Sequence, residues 1–186
     1  SVTLVFLVAA LLLWEPGGRS RLSAVALGFA ILNKTWPVVL LPVVVMRLRR
    51  WPERAVYSAI ALGIPLFFVL AYLVGFAADP EPMLQRALTH RGVAGYWGPG
   101  AIISPMAQLV PALQPVMDAL VAGRNGLLAA AALLTLWWTR RQTALDAFMT
   151  LVLSIFVVTV GFGIQWLVWP VPFAILAREY RWLKLY

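Results

Sequence analysis

The sequence contains no cysteine and a single histidine, and only 7 of its 186 residues are acidic. Without cysteine, the chain can form no disulfide framework, thiol nucleophile or thiolate metal site. One histidine and so few carboxylates do not suffice for a metal site either, so we expect neither a metal nor a cofactor. Charged residues make up only 12% of the chain, about half the share found in soluble domains, and we therefore expect no soluble domain.

The sequence is instead rich in long apolar runs. Hydrophobic residues make up 62% of the chain, and roughly 20 apolar residues suffice to span a bilayer. Charge-free runs cover residues 55–78, 125–139 and 147–177. The last run is too long for one helix and is divided by Gly161 and Gly163, so we predict one helix near residues 143–160 and a second from Trp166 onward.

The predicted fold class is all-α: a polytopic bundle of transmembrane helices, with half-helices and an interfacial segment on the outer face. Ser1 opens inside the apolar run of residues 2–14, which lacks the basic leader and the cleavage site of a signal peptide. We therefore treat residues 1–186 as a single transmembrane domain and as a fragment of a larger protein.

Basic residues set the predicted orientation. The net charge is +8, and basic residues collect in the cytoplasmic loops of membrane proteins. Three clusters are expected to be cytoplasmic: Arg47, Arg49, Arg50 and Arg54; Arg140 and Arg141; and Arg178, Arg181 and Lys184. Residues 79–100 and 161–165 then lie on the outer face. Because the charges lie at helix ends rather than along one stripe, we expect no nucleic-acid partner.

This orientation allows only one net crossing between the outer loop and Arg140, and residues 125–138 supply it. Residues 101–120 are therefore expected not to cross the membrane. The prolines in this stretch support that expectation, because each removes a hydrogen bond from a helix. We expect the stretch to lie along the outer surface or to re-enter the membrane.

Lys34 stands between the uncharged apolar runs of residues 22–33 and 35–46, at the depth of the bilayer. A lysine there costs about 2.5–3.5 kcal/mol on insertion scales, so we expect Lys34 to face the protein interior and to bind an anionic partner. Residues 22–46 form either one long kinked helix or two half-helices that meet near residues 34–37 with both ends cytoplasmic. Intramembrane charges of this kind mark substrate or ion paths.

Two clusters on the predicted outer face hold residues suited to binding sugar or phosphate. Residues 85–100 are rich in hydrogen-bond donors, aromatic rings and glycine, and the second cluster follows Gly161. Arginine binds phosphate through two parallel hydrogen bonds, and aromatic rings stack on the apolar faces of sugars. The candidate substrate-binding residues are Lys34, His90, Arg91, Tyr96, Trp97, Gln165 and Trp166. The alternatives are an ordinary solvated loop for the first cluster and hydrogen bonding between helices for the second.

Three segments carry a resemblance to a known family. They are the helix containing Asn33-Lys34-Thr35-Trp36-Pro37, the loop ending in Tyr96-Trp97-Gly98, and the segment Gln165-Trp166-Leu-Val-Trp169-Pro-Val-Pro172-Phe173. Together they resemble the GT-C superfamily of integral-membrane glycosyltransferases, in particular the bacterial polyprenyl-phosphate-mannose-dependent mannosyltransferase type. The third segment looks like the family's Gln-Tyr-x-x-Trp-x-x-Pro-Phe segment, with Trp166 in place of the usual tyrosine.

The resemblance implies a multi-pass hexosyltransferase of the bacterial plasma membrane. Such an enzyme moves a hexose, here expected to be mannose, from a polyprenyl-phosphate donor to a glycan or lipid acceptor at the outer face. The resemblance also places the catalytic general base, an acidic residue, upstream of Ser1, so we expect this chain alone to be inactive. The rival interpretations are a multi-pass transporter or lipid flippase, and a non-catalytic scaffold in which Lys34 pairs with an acidic residue elsewhere.

Overall fold

The computed structural model describes residues 2–14, 20–89, 93–94, 97–162 and 168–178, with the backbone alone at residues 84, 86–89, 93–94 and 161–162. The predicted site residues that lie outside this part of the chain are His90, Arg91, Tyr96, Gln165 and Trp166. The described residues are helical apart from one pair of two-residue strands, so the all-α class is confirmed.

Among the described residues, the elements follow one another as helices joined by loops and 3-10 turns. The α-helices are α1 (Val2–Leu12), α2 (Ser20–Asn33), α3 (Leu40–Val45), α4 (Trp51–Gly75), α5 (Pro80–Thr89), α6 (Gly98–Leu109), α7 (Gln114–Trp138), α8 (Ala144–Val158) and α9 (Val171–Leu176). The 3-10 turns are Trp36–Val39, Pro111–Leu113 and Thr139–Arg141, and the strands are β1 (Val93–Ala94) and β2 (Gly161–Phe162).

The chain divides into two compact units. Unit 1 comprises Ser1–Leu88 and Gln142–Leu145, and unit 2 comprises Thr89–Arg141 and Asp146–Tyr186. Unit 1 holds Lys34 and the first arginine cluster, whereas unit 2 holds both outer-face clusters from Thr89 onward. The single transmembrane domain stays a prediction.

In unit 1, one serine on α2 bonds to two neighbouring helices. α2 packs against both α1 and α4, and the side chain of Ser23 is fully buried. Its hydroxyl donates to the Ala10 carbonyl of α1 at 2.7 Å and lies 2.9 Å from the hydroxyl of Tyr57 on α4. Hydrogen bonds between membrane helices contribute about 0.6–2 kcal/mol each, so Ser23 helps to hold α1, α2 and α4 together.

A glycine lets α2 approach α4 closely. A Cβ atom added at Gly28 would lie 2.9 Å from Ile64 Cδ1 and 3.2 Å from the Ala61 carbonyl oxygen. Pro65 lies inside α4, and because proline has no N–H, it leaves the Ala61 carbonyl without its helical donor. Any side chain at position 28 would therefore push α2 away from this part of α4.

The helix that contains Lys34 is broken. α2 ends at Asn33, and the 3-10 turn Trp36–Val39 then leads into α3. Pro37 lies in the first turn of the 3-10 segment, where its missing N–H is not needed, and it disfavours helical geometry at the residue before it. The structure therefore agrees with two helical segments that meet near residues 34–37, rather than with one continuous helix.

Arg47 connects the end of α3 to the segment before α8. Its Nη2 donates to the Gln142 carbonyl at 2.9 Å and its Nη1 to the Val43 carbonyl at 2.6 Å. An arginine at a helix C-terminus can satisfy carbonyls that have no helical donor. This contact brings the first arginine cluster next to the residue that directly follows Arg141.

In unit 2, α6 packs against α7, to which the turn Pro111–Leu113 joins it. The predicted crossing helix starts at residue 125, but α7 begins at Gln114 and runs for 25 residues to Trp138. The predicted start is therefore wrong. Pro115 does not prevent the longer helix, because it lies in the first turn, where a helix tolerates proline.

The apolar run of residues 147–177 is divided, as predicted. α8 ends at Val158, β2 follows at Gly161–Phe162, and α9 begins at Val171 directly after Pro170. The fully buried rings of Phe148 on α8 and Phe173 on α9 meet edge to face, with their centroids 4.8 Å apart. The predicted second start at Trp166 lies outside the described residues.

In the part of the chain that the structure describes, two helical stretches are long and apolar enough to cross a membrane. They are Trp51–Gly75, with a mean hydropathy of 2.2, and Pro111–Arg141, with a mean hydropathy of 1.6. Only 6% of the residues in the most apolar window of the first are buried, and 0% in that of the second.

Candidate functional site

Lys34 lies at the break between α2 and the turn Trp36–Val39, and it is exposed. Within the described part of the chain, the prediction that Lys34 faces the protein interior is therefore wrong. The buried face of α2 includes Leu27, Ala30 and Ile31, and position 34 would continue that face only if the helix went on. Because α2 ends at Asn33, Lys34 leaves the face.

The neighbour of Lys34 is held in place, but the ammonium group is not. Asn33 Oδ1 accepts a hydrogen bond from the buried hydroxyl of Thr3 on α1, and the backbone N–H of Lys34 donates to the Ala30 carbonyl at 3.0 Å. The side chain of Lys34 forms no ion pair or hydrogen bond with any residue that the structure describes. The backbone at this position is thus fixed by α1 and α2, while the charge is open to a ligand.

In unit 2, backbone pairing joins the two predicted outer-face clusters. β1 pairs antiparallel with β2, with Val93 opposite Phe162 and Ala94 opposite Gly161. In the sequence, Arg91 stands two residues before Val93, and Gln165 stands three residues after Phe162. Two segments predicted to share one surface therefore meet, although they lie far apart along the chain.

Trp97 joins the first cluster to α8. Its indole Nε1–H donates to the Phe156 carbonyl of α8 at 2.7 Å, and the residue is half-buried. A buried tryptophan N–H usually finds such a partner. Because the N–H is engaged by the backbone, Trp97 positions the loop against the end of α8 rather than offering this donor to a sugar.

Gly98 allows the start of α6 to approach the end of α8 closely. Its φ is +54°, and a Cβ atom there would lie 2.4 Å from the Thr159 carbonyl oxygen and 2.9 Å from that of Val157. Glycine adopts such a φ without steric cost, and no other residue leaves room for the carbonyls. The start of α6 and the end of α8 thus meet backbone against backbone.

Arg124 is absent from the predicted site residues, although it directly precedes the predicted crossing segment. The structure places Arg124 inside α7, and it is half-buried. The signal was present in the sequence, because Arg124 is the one charged residue between Asp118 and Arg140. A charge inside an apolar helix is a functional candidate by default.

Among the described residues, no three His, Asp or Glu side chains are grouped so that they could hold a metal ion. Comparison of the chain with models of known families, with curated proteins and with solved structures finds no match. The likeness to the GT-C superfamily therefore stays a prediction, and the function is argued from the residues themselves.

Proposed function

We propose that the chain is part of a multi-pass membrane glycosyltransferase of the GT-C type, which transfers a hexose from a polyprenyl-phosphate donor to a glycan or lipid acceptor. Transfer takes place at the outer face of a bacterial plasma membrane. The observation that carries the proposal is the ammonium group of Lys34, at a helix break in an apolar unit and without a partner among the described residues.

The exposed apolar surface of the long helices supports placement in a membrane. A core helix of a soluble protein is mostly buried, but α4 exposes Phe67 at 66% and α7 exposes Leu133 at 68%. Soluble monomers rarely expose contiguous apolar patches larger than a few hundred Å². In a bilayer such helices need no cover, because a helix satisfies its own backbone groups and its side chains match the lipid.

The arginine contacts support the proposed orientation. Within unit 1, Arg47 bonds to the carbonyl of Gln142, so the first arginine cluster and the start of the segment before α8 lie on one side, the proposed cytoplasmic side. α6 has 12 residues, which span only about 18 Å, too short for a bilayer about 30 Å thick. α6 is therefore the proposed interfacial segment on the outer face.

The proposed chemistry is an inverting transfer. A carboxylate outside this chain removes the proton from the acceptor hydroxyl, and the resulting oxygen attacks the anomeric carbon. The bond from that carbon to the phosphate oxygen breaks, and polyprenyl phosphate leaves with the electron pair. Lys34 stabilises the negative charge that develops on the phosphate. Electrostatic stabilisation of this kind usually lowers the barrier more than any other single effect in catalysis.

The exposed position of Lys34 suits a ligand that comes from the lipid phase. A lysine ammonium acts as a point charge on a flexible stem, so it can follow a phosphate carried on a lipid. The pairing of β1 with β2 supports a common outer surface for the two segments that hold the other predicted residues.

The experiment replaces Lys34 in the full-length enzyme. Lys34→Met is expected to lower turnover at least about tenfold in an assay with radiolabelled polyprenyl-phosphate hexose, because losing a charge contact to the phosphate raises the barrier by more than about 1.4 kcal/mol. Arg49→Met is the matched control, since Arg49 is an exposed cation outside the break, and its turnover should be unchanged. Wild-type turnover in Lys34→Met would remove Lys34 from the mechanism.

The helix break at Lys34 also favours a second candidate, a lipid flippase or transporter, because broken helices line the substrate sites of transporters. The two functions differ in whether the sugar is transferred to an acceptor or the intact lipid-linked sugar crosses the membrane. A glycosyltransferase places labelled sugar on an acceptor, whereas a flippase moves intact polyprenyl-phosphate sugar between the leaflets of a vesicle without an acceptor. Both measurements can be made on one reconstituted preparation.

A further inference from the structure

Arg124 lies in the middle of an apolar helix and on its packed face. The least exposed positions of α7 recur every three or four residues: Met117, Leu120, Val121, Arg124, Leu128, Ala131, Ala132, Thr135 and Leu136. The two positions on either side of Arg124 are exposed. This spacing describes one face of a helix, so Arg124 belongs to the face that packs on protein.

The depth of Arg124 follows from the length of the helix. Trp137 and Trp138 stand at the end of α7, beside Arg140 and Arg141, and such residues mark a membrane interface. Arg124 stands 14 positions before Trp138, which is about 21 Å along the helix. In a hydrocarbon layer of about 30 Å, Arg124 is then roughly 9 Å below the outer boundary. An arginine side chain can extend its guanidinium toward that boundary.

No acidic side chain of the described chain forms an ion pair with Arg124. Asp118 lies on the same helix six positions earlier, but that spacing turns it about 240° around the axis. Its carboxylate accepts a hydrogen bond from Gln114 Nε2 at 3.0 Å instead. A guanidinium at this depth needs an anion, and the described residues do not supply one.

The space beside Arg124 is open. Gly123 and Gly126 flank Arg124 and Asn125, and a Cβ atom added at either glycine would meet no atom within 4 Å. Asn125 is exposed between them, and its amide is a hydrogen-bond donor. The open side of α7 thus borders the packed face, and the half-buried Arg124 can be reached by a lipid headgroup from that side.

We propose that Arg124 binds the phosphate group of a lipid in the outer leaflet. Guanidinium groups pair with phosphate through two parallel hydrogen bonds, and lipid phosphates are the abundant anions just outside the boundary toward which the Arg124 side chain can extend. The proposal rests on the membrane placement of α7 but not on sugar transfer, so it holds or fails separately from the enzymatic function.

The test measures lipid binding by the purified full chain in a detergent that contains no phosphate. Polyprenyl phosphate and phosphatidylglycerol are expected to bind at least about tenfold more tightly than polyprenol and diacylglycerol, which lack the phosphate. The reason is that hydrogen bonds between charged groups are stronger than those between neutral groups. Arg124→Gln should abolish this preference. Arg140→Gln should keep the preference for phosphate-bearing lipids, because Arg140 lies beyond the C-terminal end of α7, far from Arg124.

A second measurement covers the case in which Arg124→Gln does not fold. The chain has no cysteine, so Val121→Cys provides a single thiol on the same face of α7, one turn nearer the outer boundary, with Arg124 intact. Phosphate-bearing lipids should slow the reaction of this thiol with a maleimide, and the phosphate-free lipids should not. Stronger protection by polyprenyl phosphate would identify a lipid-linked substrate as the ligand, and equal protection by phosphatidylglycerol an ordinary headgroup.

Two outcomes would overturn the proposal. One is equal protection of the Val121→Cys thiol by lipids with and without phosphate, which is also the result expected if an acidic side chain of the chain itself pairs with Arg124. The other is an Arg124→Gln protein that folds and still binds the phosphate-bearing lipids as tightly as the unmodified chain.

Discussion

The two units are both helical, but different contacts hold them together. In unit 1, side-chain hydroxyl groups join neighbouring helices, with Ser23 bonded to Ala10 and Tyr57, and Thr3 bonded to Asn33. In unit 2, the rings of Phe148 and Phe173 meet, but the polar contacts and closest approaches between distant segments involve the backbone, through the β1–β2 pair and the approach of Gly98 to the Thr159 carbonyl.

This difference indicates what each unit contributes to the proposed function. Helices joined by buried hydroxyl groups form a fixed frame, and in unit 1 that frame holds the break at Lys34. Backbone contacts between loops define a surface rather than a core, and in unit 2 that surface carries the two outer-face clusters. Substitutions can test each kind of contact separately.

The largest effect is expected in unit 2, at Gly98. Gly98→Ala should destabilise the protein by roughly 2–5 kcal/mol, because alanine at a positive φ is strained and its Cβ would collide with two backbone carbonyls. Unfolding in mixed micelles by increasing the fraction of sodium dodecyl sulfate measures this free energy. Gly123→Ala is the control, and it should be neutral or stabilise α7 by about 0.5–1 kcal/mol. Equal stability of the two variants would show that the close approach to α8 is not required.

A smaller effect is expected in unit 1, at Gly28. Gly28→Ala should cost about 1–3 kcal/mol, since its Cβ would press on Ile64 and the Ala61 carbonyl and push α2 away from α4. The same unfolding measurement applies. Gly63→Ala, on α4 with no atom within 4 Å of the added Cβ, should cost nothing. A Gly28→Ala protein as stable as Gly63→Ala would contradict the packing of α2 on α4.

The smallest effect is the coupling between Ser23 and Tyr57. A double-mutant cycle with Ser23→Ala and Tyr57→Phe should give an interaction free energy of about 0.6–1.7 kcal/mol, because each single change removes the same interhelical hydrogen bond. The free energies of unfolding of the two single variants and the double variant supply the cycle. Strictly additive effects would mean that the hydroxyl groups do not interact in the folded protein.

The sequence predicted the helical class and the division of residues 147–177, because apolar runs, glycines and prolines act locally. The exposure of Lys34 could not be predicted from the sequence. In a continuous helix, position 34 would lie on the buried face of α2, but the helix ends at Asn33. The start of α7 did not follow either. Pro115 suggests a break in the helix, but its effect depends on its position within the first turn.

For the candidate site, the sequence predicted a common face for the loop before Gly98 and the segment after Gly161, but not their contacts. The register of Val93 against Phe162 is set by two segments far apart in the chain, and short local patterns do not encode it. Arg124 was readable from the sequence alone, as a charge within an apolar helix. Arg124 was overlooked because the predicted crossing segment began at residue 125, directly after it.

The proposed function depends above all on α4 and α7 crossing the membrane, with the arginine clusters inside and the outer-face clusters outside. Because the chain has no cysteine, two single-cysteine variants test this topology in intact cells with a maleimide that cannot cross membranes. We expect Glu81→Cys to be labelled in intact cells and Arg50→Cys to be labelled only after the membrane is opened. Labelling of Arg50→Cys in intact cells, or recovery of the chain in the soluble fraction, would contradict the topology.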